Sequence, residues 1–170
     1  MSGFADFLIN HHLPQVVTST ELAAAEDVFT GNLTTDIFNM SAWEGCIFVL
    51  QKLAGGTGTA TVTCNSCDDT DPTTATAIAF RYRYSTTPDV FTAWADATSS
   101  GVPVTAGADQ TWEFAVATSD LYKGTATAPV NDQYCRWVAT ETESTAVDGA
   151  AYVLLYGPKY GHEIPGTVLT

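Results

Sequence analysis

A chain of 170 residues, 45% apolar and only 15% charged, has material for one well-filled core rather than two. Its 19 acidic against 6 basic residues give a formal charge of -13, which repels a phosphate backbone and leaves nucleic acid out of the expected partners. No window approaches the ~20 apolar residues that span a bilayer as a helix, so no membrane partner is expected. The first ten residues lack a basic start and are interrupted by Asp6 and Asn10, so no secretory signal is legible and synthesis in the cytoplasm is expected.

Threonine fills the place of the missing charges, with 27 Thr against 9 Ser. A β-branched side chain with a hydroxyl suits a pleated, half-exposed surface better than a helix. The composition therefore points to an all-β chain.

Residues 1–28 read as an extended N-terminal arm. Phe4, Phe7, Leu8, Ile9 and Leu13 are apolar but follow no two-face period, and Pro14 interrupts them. Ser19 and Thr20 ahead of Glu21 to Asp27 cap at most one short helical turn. From Thr30 onward, strand patterns are punctuated by Gly, Pro, Asp and Asn. Asp36 to Met40 is a short candidate. Gly45 to Leu53 is the strongest, with Cys46, Phe48 and Leu50 on one face and Ile47 and Val49 on the other, which predicts a central strand covered on both sides.

Gly55, Gly56 and Gly58 predict a hairpin turn into a strand over Thr59 to Cys67. Asp68 to Thr74 reads as a loop. Ala75 to Ser85 reads as one strand with Ile78, Phe80, Tyr82 and Tyr84 on one face and Arg81 and Arg83 on the other. Val90 to Trp94 is a short strand, Ser99 to Gly107 a loop, and Gln110 to Thr118 a strand carrying Trp112, Phe114 and Val116. Residues 119–132 are long enough for a functional loop. Strands over Tyr134 to Thr142 and Ala151 to Tyr156 follow, and then a Gly and Pro punctuated tail. Roughly seven to nine strands, with no helix long enough for a parallel crossover, predict an antiparallel β-sandwich, for which a jelly-roll-like order is one arrangement. The expected domains are the arm (1–28), the sandwich (29–157) and the tail (158–170).

Candidate chemistry is sparse. Cys64 and Cys67 have the spacing of half a zinc knuckle, but Cys46 and Cys135 stand alone, so all four read as buried thiols and no metal is expected. His11 and His12 are adjacent and cannot chelate from one face of a regular element, and His162 lies near the other terminus. No nucleophile setting accompanies them. Asp68, Asp69 and Asp71 lack the glycine and closing glutamate of a calcium loop and read as a solvated acidic turn. Glu141 and Glu143, two apart on a strand, share a face without a cleft around them. Trp94, Trp112, Trp137, Tyr82 and Tyr84 read as core more than as a sugar-stacking face. Arg81 and Arg83 pair with acidic neighbours or a partner.

The segment Glu21 to Gln51, ELAAAEDVFTGNLTTDIFNMSAWEGCIFVLQ, the strand GGTGTATVTC that follows, and TETESTAVDGAAYVLLY over Thr140 to Tyr156 together resemble small structural proteins of tailed bacteriophages. In texture they are similar to head decoration, or cement, proteins. The resemblance covers most of the chain without a diagnostic motif. It implies a non-enzymatic virion component without cofactors, displayed on the outer capsid surface, which stabilises the head by tying major capsid subunits together and is commonly a homo-oligomer such as a trimer. On this reading Phe4, Phe7, Leu8, Ile9 and Leu13 bind the partner, because a segment without periodicity cannot hide them all itself; folding back onto its own sandwich is the alternative. Tail or baseplate components share the same strands, and a carbohydrate-binding sandwich for host attachment is the remaining alternative.

Overall fold

A computed structural model describes residues 12–16, 32–52, 57–87, 90–105, 107, 110–143 and 149–159. Thirteen strands lie among them: β1 (His12–Val16), β2 (Asn32–Thr34), β3 (Phe38–Asn39), β4 (Trp43–Lys52), β5 (Thr59–Cys67), β6 (Ala75–Ile78), β7 (Phe80–Thr87), β8 (Val90–Phe91), β9 (Ala95–Ala97), β10 (Val102–Val104), β11 (Gln110–Ala117), β12 (Tyr134–Glu143) and β13 (Gly149–Pro158). They form two antiparallel sheets packed face to face, so the all-β sandwich expected from composition is the fold.

Four antiparallel pairings define the architecture: β1 with β13, β2 and β3 with β12, β4 with β11, and β5 with β10. These are the rungs of one long ribbon, with the first strand against the last. Two further pairings, β13 with β4 and β12 with β5, roll that ribbon up. One sheet then runs β1-β13-β4-β11-β7-β8 and the other β10-β5-β12-β2, which is the strand order of a jelly roll. Strands β6 to β9 are an insertion between β5 and β10 that extends both sheets: β6 pairs with β5, β7 with β11, and β8 and β9 with β7.

Alternation explains why these segments are strands. Along β5 and β12 every second residue is buried, Ala60, Val62, Cys64 and Ser66 on one and Cys135, Trp137 and Ala139 on the other, as the two-residue repeat of a half-covered sheet requires. Strand β4 is central between β13 and β11, and Val49 on its outward side is also buried. The core is a stack of rings: Phe48 lies 5.8 Å from Trp137 and 5.9 Å from Phe114, and Phe80 meets Trp137 edge-on at 5.3 Å. Trp112 stacks on Tyr84 at 4.3 Å and extends the stack toward the inserted strands. Each such pair adds about 0.5–1.5 kcal/mol beyond the burial of its area.

The structure departs from the sequence reading at several places. The hairpin expected between the strands over Gly45 to Leu53 and Thr59 to Cys67 does not form, because β4 and β5 lie in different sheets. The strand expected over Val90 to Trp94 is only Val90–Phe91, with a further strand at Ala95–Ala97. The segment Ala75 to Ser85 is two strands, because the chain passes from one sheet to the other at Ala79 between β6 and β7. Strand β10 lies inside the expected Ser99 to Gly107 loop; its Pro103 is tolerated because β10 sits at a sheet edge, where a missing N–H breaks no ladder. Strand β13 starts two residues earlier and runs on to Pro158. Most consequentially, His12–Val16, read as part of the arm, is β1, paired residue for residue with β13 so that Leu13 stands opposite Leu155. The candidate helical turn at Glu21 to Asp27, Gly55 and Gly56, residues 1–11 and residues 160–170 lie outside the described residues.

Replacing Trp137 by Ala should cost roughly 3–5 kcal/mol of unfolding free energy in a urea titration, since the indole is fully enclosed. Val90→Ala, at a side chain 60% exposed, should change it by less than about 0.5 kcal/mol. Equal effects would contradict the packing described.

Candidate functional site

The residues singled out in the sequence fall in different surroundings. All four cysteines are buried free thiols. The Cys46 sulfur, from β4, lies 3.7 Å from that of Cys135 on β12. The hydrogen bond with Cys135 and burial raise the Cys46 thiol well above its ordinary value. Burial raises Cys64, and it pushes Cys67 up to about 11. Among the described residues no group of three or more His, Cys, Asp or Glu has the geometry of a metal site. His12 stands in β1 opposite Tyr156, while His11 and His162 lie outside the described residues.

The acidic run is an internally bonded turn. Asp69 accepts from the Asp71 amide at 2.9 Å and Asp68 from the Thr73 hydroxyl at 3.1 Å, as short acidic side chains do in turns. Glu141 and Glu143 do not follow the expected alternation, because a register shift falls between them on β12, and the intervening Thr142 bonds Thr59 at 2.7 Å. Of the aromatic set, Trp112 and Trp137 are core, and Tyr82 and Tyr84 pack against it. Trp94 stands apart from the core, with its ring 4.7 Å from the Arg83 guanidinium, which lies at the same distance from Phe91.

Arg83 stands at one end of a row across the outer face of the larger sheet. Register places it beside Glu113 on β11, then Val49 on β4, then Tyr152 on β13. The Arg83 Nε donates to Glu113 at 2.6 Å, and burial followed by the Glu113 charge raises the Tyr152 phenol. Arg81, by contrast, meets Asp96 at 3.2 Å with both side chains well exposed, an arrangement worth little.

A cleft of about 790 Å³ opens at the end of the sandwich where β4 begins and β13 ends. Its chemistry comes from Ser41, Glu44, Lys123, Asp132, Tyr156 and Lys159, none of which the sequence marked by spacing. The walls are pinned. Thr118 donates its hydroxyl to the Trp43 carbonyl at 2.7 Å, joining the short 3-10 turn Thr118–Asp120 to the start of β4. Ser66 donates to Asp132 at 2.8 Å and accepts from the Tyr122 amide at 2.9 Å, fastening the long loop to β5 from inside. Lys159 donates its amide to the Ala42 carbonyl at 2.8 Å. Gly45 is required beside Tyr156, because a Cβ there would collide with the tyrosine hydroxyl and come within 2.6 Å of the Val116 carbonyl.

On the other side of Leu121 to Lys123 lies an open groove of about 810 Å³, floored by Ile78, Ala79, Phe80, Ala97 and Leu121. Two of the six basic residues of the chain, Lys123 and Lys159, reach the cleft alongside the Glu44 carboxylate. Such a mixture suits a charged, hydrogen-bonding polypeptide better than an apolar ligand. The register of His12 with Tyr156 brings the start of β1 to the strand position that lines the cleft. Of the five arm residues expected to bind a partner, Leu13 is therefore in β1; Phe4, Phe7, Leu8 and Ile9 lie outside the described residues.

No protein-family model, curated protein or solved structure matches the chain.

Burial raises the Tyr156 phenol, helped by Cys46 and Glu44; with Tyr152 and the core thiols it holds its proton longer folded than unfolded. Stability from these groups is complete below the free thiol value of about 8.5 and falls as pH rises past it and past the free phenol value of about 10. Urea midpoints should drop between about pH 7 and about pH 10.5. An unchanged midpoint over that range would contradict the burial of these groups.

Proposed function

We propose that this protein is a non-enzymatic structural component of a tailed bacteriophage particle. In this reading it is a head decoration protein on the outer capsid surface, where it bridges major capsid subunits and stabilises the head as a homo-oligomer, with neither nucleic acid nor membrane as partner. The observation that carries the reading is the position of β1. Five residues of backbone pairing hold His12–Val16 on β13, so the segment carrying Phe4, Phe7, Leu8 and Ile9 joins the sandwich at His12, opposite Tyr156 of the cleft wall. A leader attached this way engages a neighbour without loosening the domain that carries it.

The charge supports an outward position. A chain of -13 faces solvent at lower electrostatic cost than it faces packaged DNA. Repeated sites on a shell call for shape and reach rather than chemistry, and a jelly roll supplies the shape. A second reading, a carbohydrate-binding sandwich, has one observation in its favour: Trp94 and Phe91 flank Arg83 away from the core, where a pyranose could stack.

The test uses capsids that lack the protein. Added protein should bind them and raise their melting temperature, because a ligand that binds only the intact shell stabilises it by mass action. Removing residues 2–10 should abolish binding while leaving the melting of the free protein unchanged. Removing residues 2–16 should also destabilise the free protein, because β13 then loses its edge partner. Binding that survives the shorter deletion would overturn the role of the leader, and saturation without a shift in capsid melting would overturn the decoration reading. A tryptophan fluorescence change with polysaccharide, lost in Trp94→Ala, would favour the carbohydrate reading instead.

A further inference from the structure

The core holds a contact that the proposed function does not use. Two of the four cysteines touch although they come from different sheets, Cys46 from β4 in one and Cys135 from β12 in the other, and a third, Cys64, lies on β5 beside β12. The Cys46 and Cys135 sulfurs are 3.7 Å apart across the interface between the sheets. Both residues are fully enclosed, and each belongs to a strand flanked by neighbours on both sides.

We propose that Cys46 and Cys135 are an oxidation site that closes into an inter-sheet disulfide and staples the two halves of the roll together. Geometry selects this pair over the others. A disulfide needs sulfurs about 2.05 Å apart and Cα atoms within about 6.8 Å. The Cys46 and Cys135 sulfurs lie 3.7 Å apart from facing sheets, so bonding brings them closer by about 1.6 Å. Cys64 lies opposite Trp137 and Cys135 opposite Ser66, which makes those two cysteines diagonal neighbours within one sheet, about 7–8 Å apart at the backbone. Cys67 stands three residues further along β5, and its sulfur is turned to the Asn65 carbonyl at 3.8 Å.

The chemistry is exchange with a small-molecule disulfide such as oxidised glutathione. One protein thiolate attacks a sulfur of the oxidant, forms a mixed disulfide and releases one small thiol. The second protein thiolate attacks the protein sulfur of that mixed disulfide and releases the other. The protein loses two hydrogens, and the oxidant gains them as two thiols. Enclosure makes the reaction slow in the folded state and fast while the sheets are still coming together. The bond closes a loop spanning 89 residues of sequence separation, long enough for a large effect on the unfolded chain.

The experiment refolds the full chain with oxidised and reduced glutathione, and in parallel with a reductant, and maps the cysteines by mass spectrometry after blocking free thiols. The oxidised sample should lack two hydrogens, yield a Cys46 to Cys135 cross-linked peptide, and melt roughly 10 °C higher than the reduced one. Cys64→Ala should retain the cross-link and the shift, and Cys135→Ala should lose both. Prolonged oxidation of the folded protein should reach the same product more slowly. Free thiols at both positions after both treatments, a bond that maps to Cys64 or Cys67, or a cross-link without a rise in melting temperature would each overturn the proposal.

Discussion

The contact between the two sheets is the constraint from which the rest of the molecule follows. Phe48, Phe114, Phe80 and Trp137 each belong to a different strand, and their rings meet at 5.3–6.2 Å in the space between the layers. Rings of this size fix how far apart the sheets stand, and that spacing decides which neighbours fit between them. Small side chains occupy the remaining gaps: Ala60, Ala97, Ala139 and Ala151 are all buried in the same cluster as Cys46, Cys64 and Cys135. A core packed near the density of a crystal tolerates no independent choice at these positions.

The ends of the roll obey a different rule. Where the chain crosses between sheets, backbone groups leave the ladders and need other partners. At one end Lys52, fully enclosed, donates its ammonium to the carbonyls of Gly58 and Thr105 at 3.0 and 2.8 Å, so a single side chain ties the connection after β4 to the connection after β10. Burial lowers its pKa, the electrostatic cost of placing an ammonium there. At the opposite end of β4, Thr118, Ser66 and Asp132 make the corresponding links, and there they leave a cleft between them. The two ends differ because one lysine closes the first with main-chain acceptors alone. The second is closed through side chains on a long loop, and its remaining charges face outward.

What the sequence disclosed, and what it hid, divides along the same line. The two-residue period marks any strand with one buried face, and Thr59 to Cys67 was legible to the residue as β5. The same period concealed the crossing at Ala79. Ile78 and Phe80 both point inward, and because the two sheets face each other, a chain that passes from one to the other keeps its alternation. Proline misled twice, at Pro14 and Pro103, because it argues against a central strand but not against an edge strand. The carboxylates Glu141 and Glu143 looked like a pair only while β12 was assumed regular. The cleft was not legible at all: its polar side chains come from separated segments brought together by the roll.

The cysteines show how spacing and topology can disagree. Adjacent positions in sequence drew attention to Cys64 and Cys67, the only closely spaced pair, yet on a strand a separation of three places their side chains on opposite sides of the pleat. Both are nevertheless buried, because the end of β5 lies under the loop that Ser66 and Asp132 hold down. The contact with chemical meaning joins residues 89 positions apart. It exists because the jelly roll lays β4 over β12, the third strand of the ribbon over its second-last. The topology that positions the thiols also positions β1 beside β13 at the other end of the chain. Redox behaviour and anchoring of the N-terminal segment are therefore consequences of one rolled ribbon rather than two separate features of the sequence.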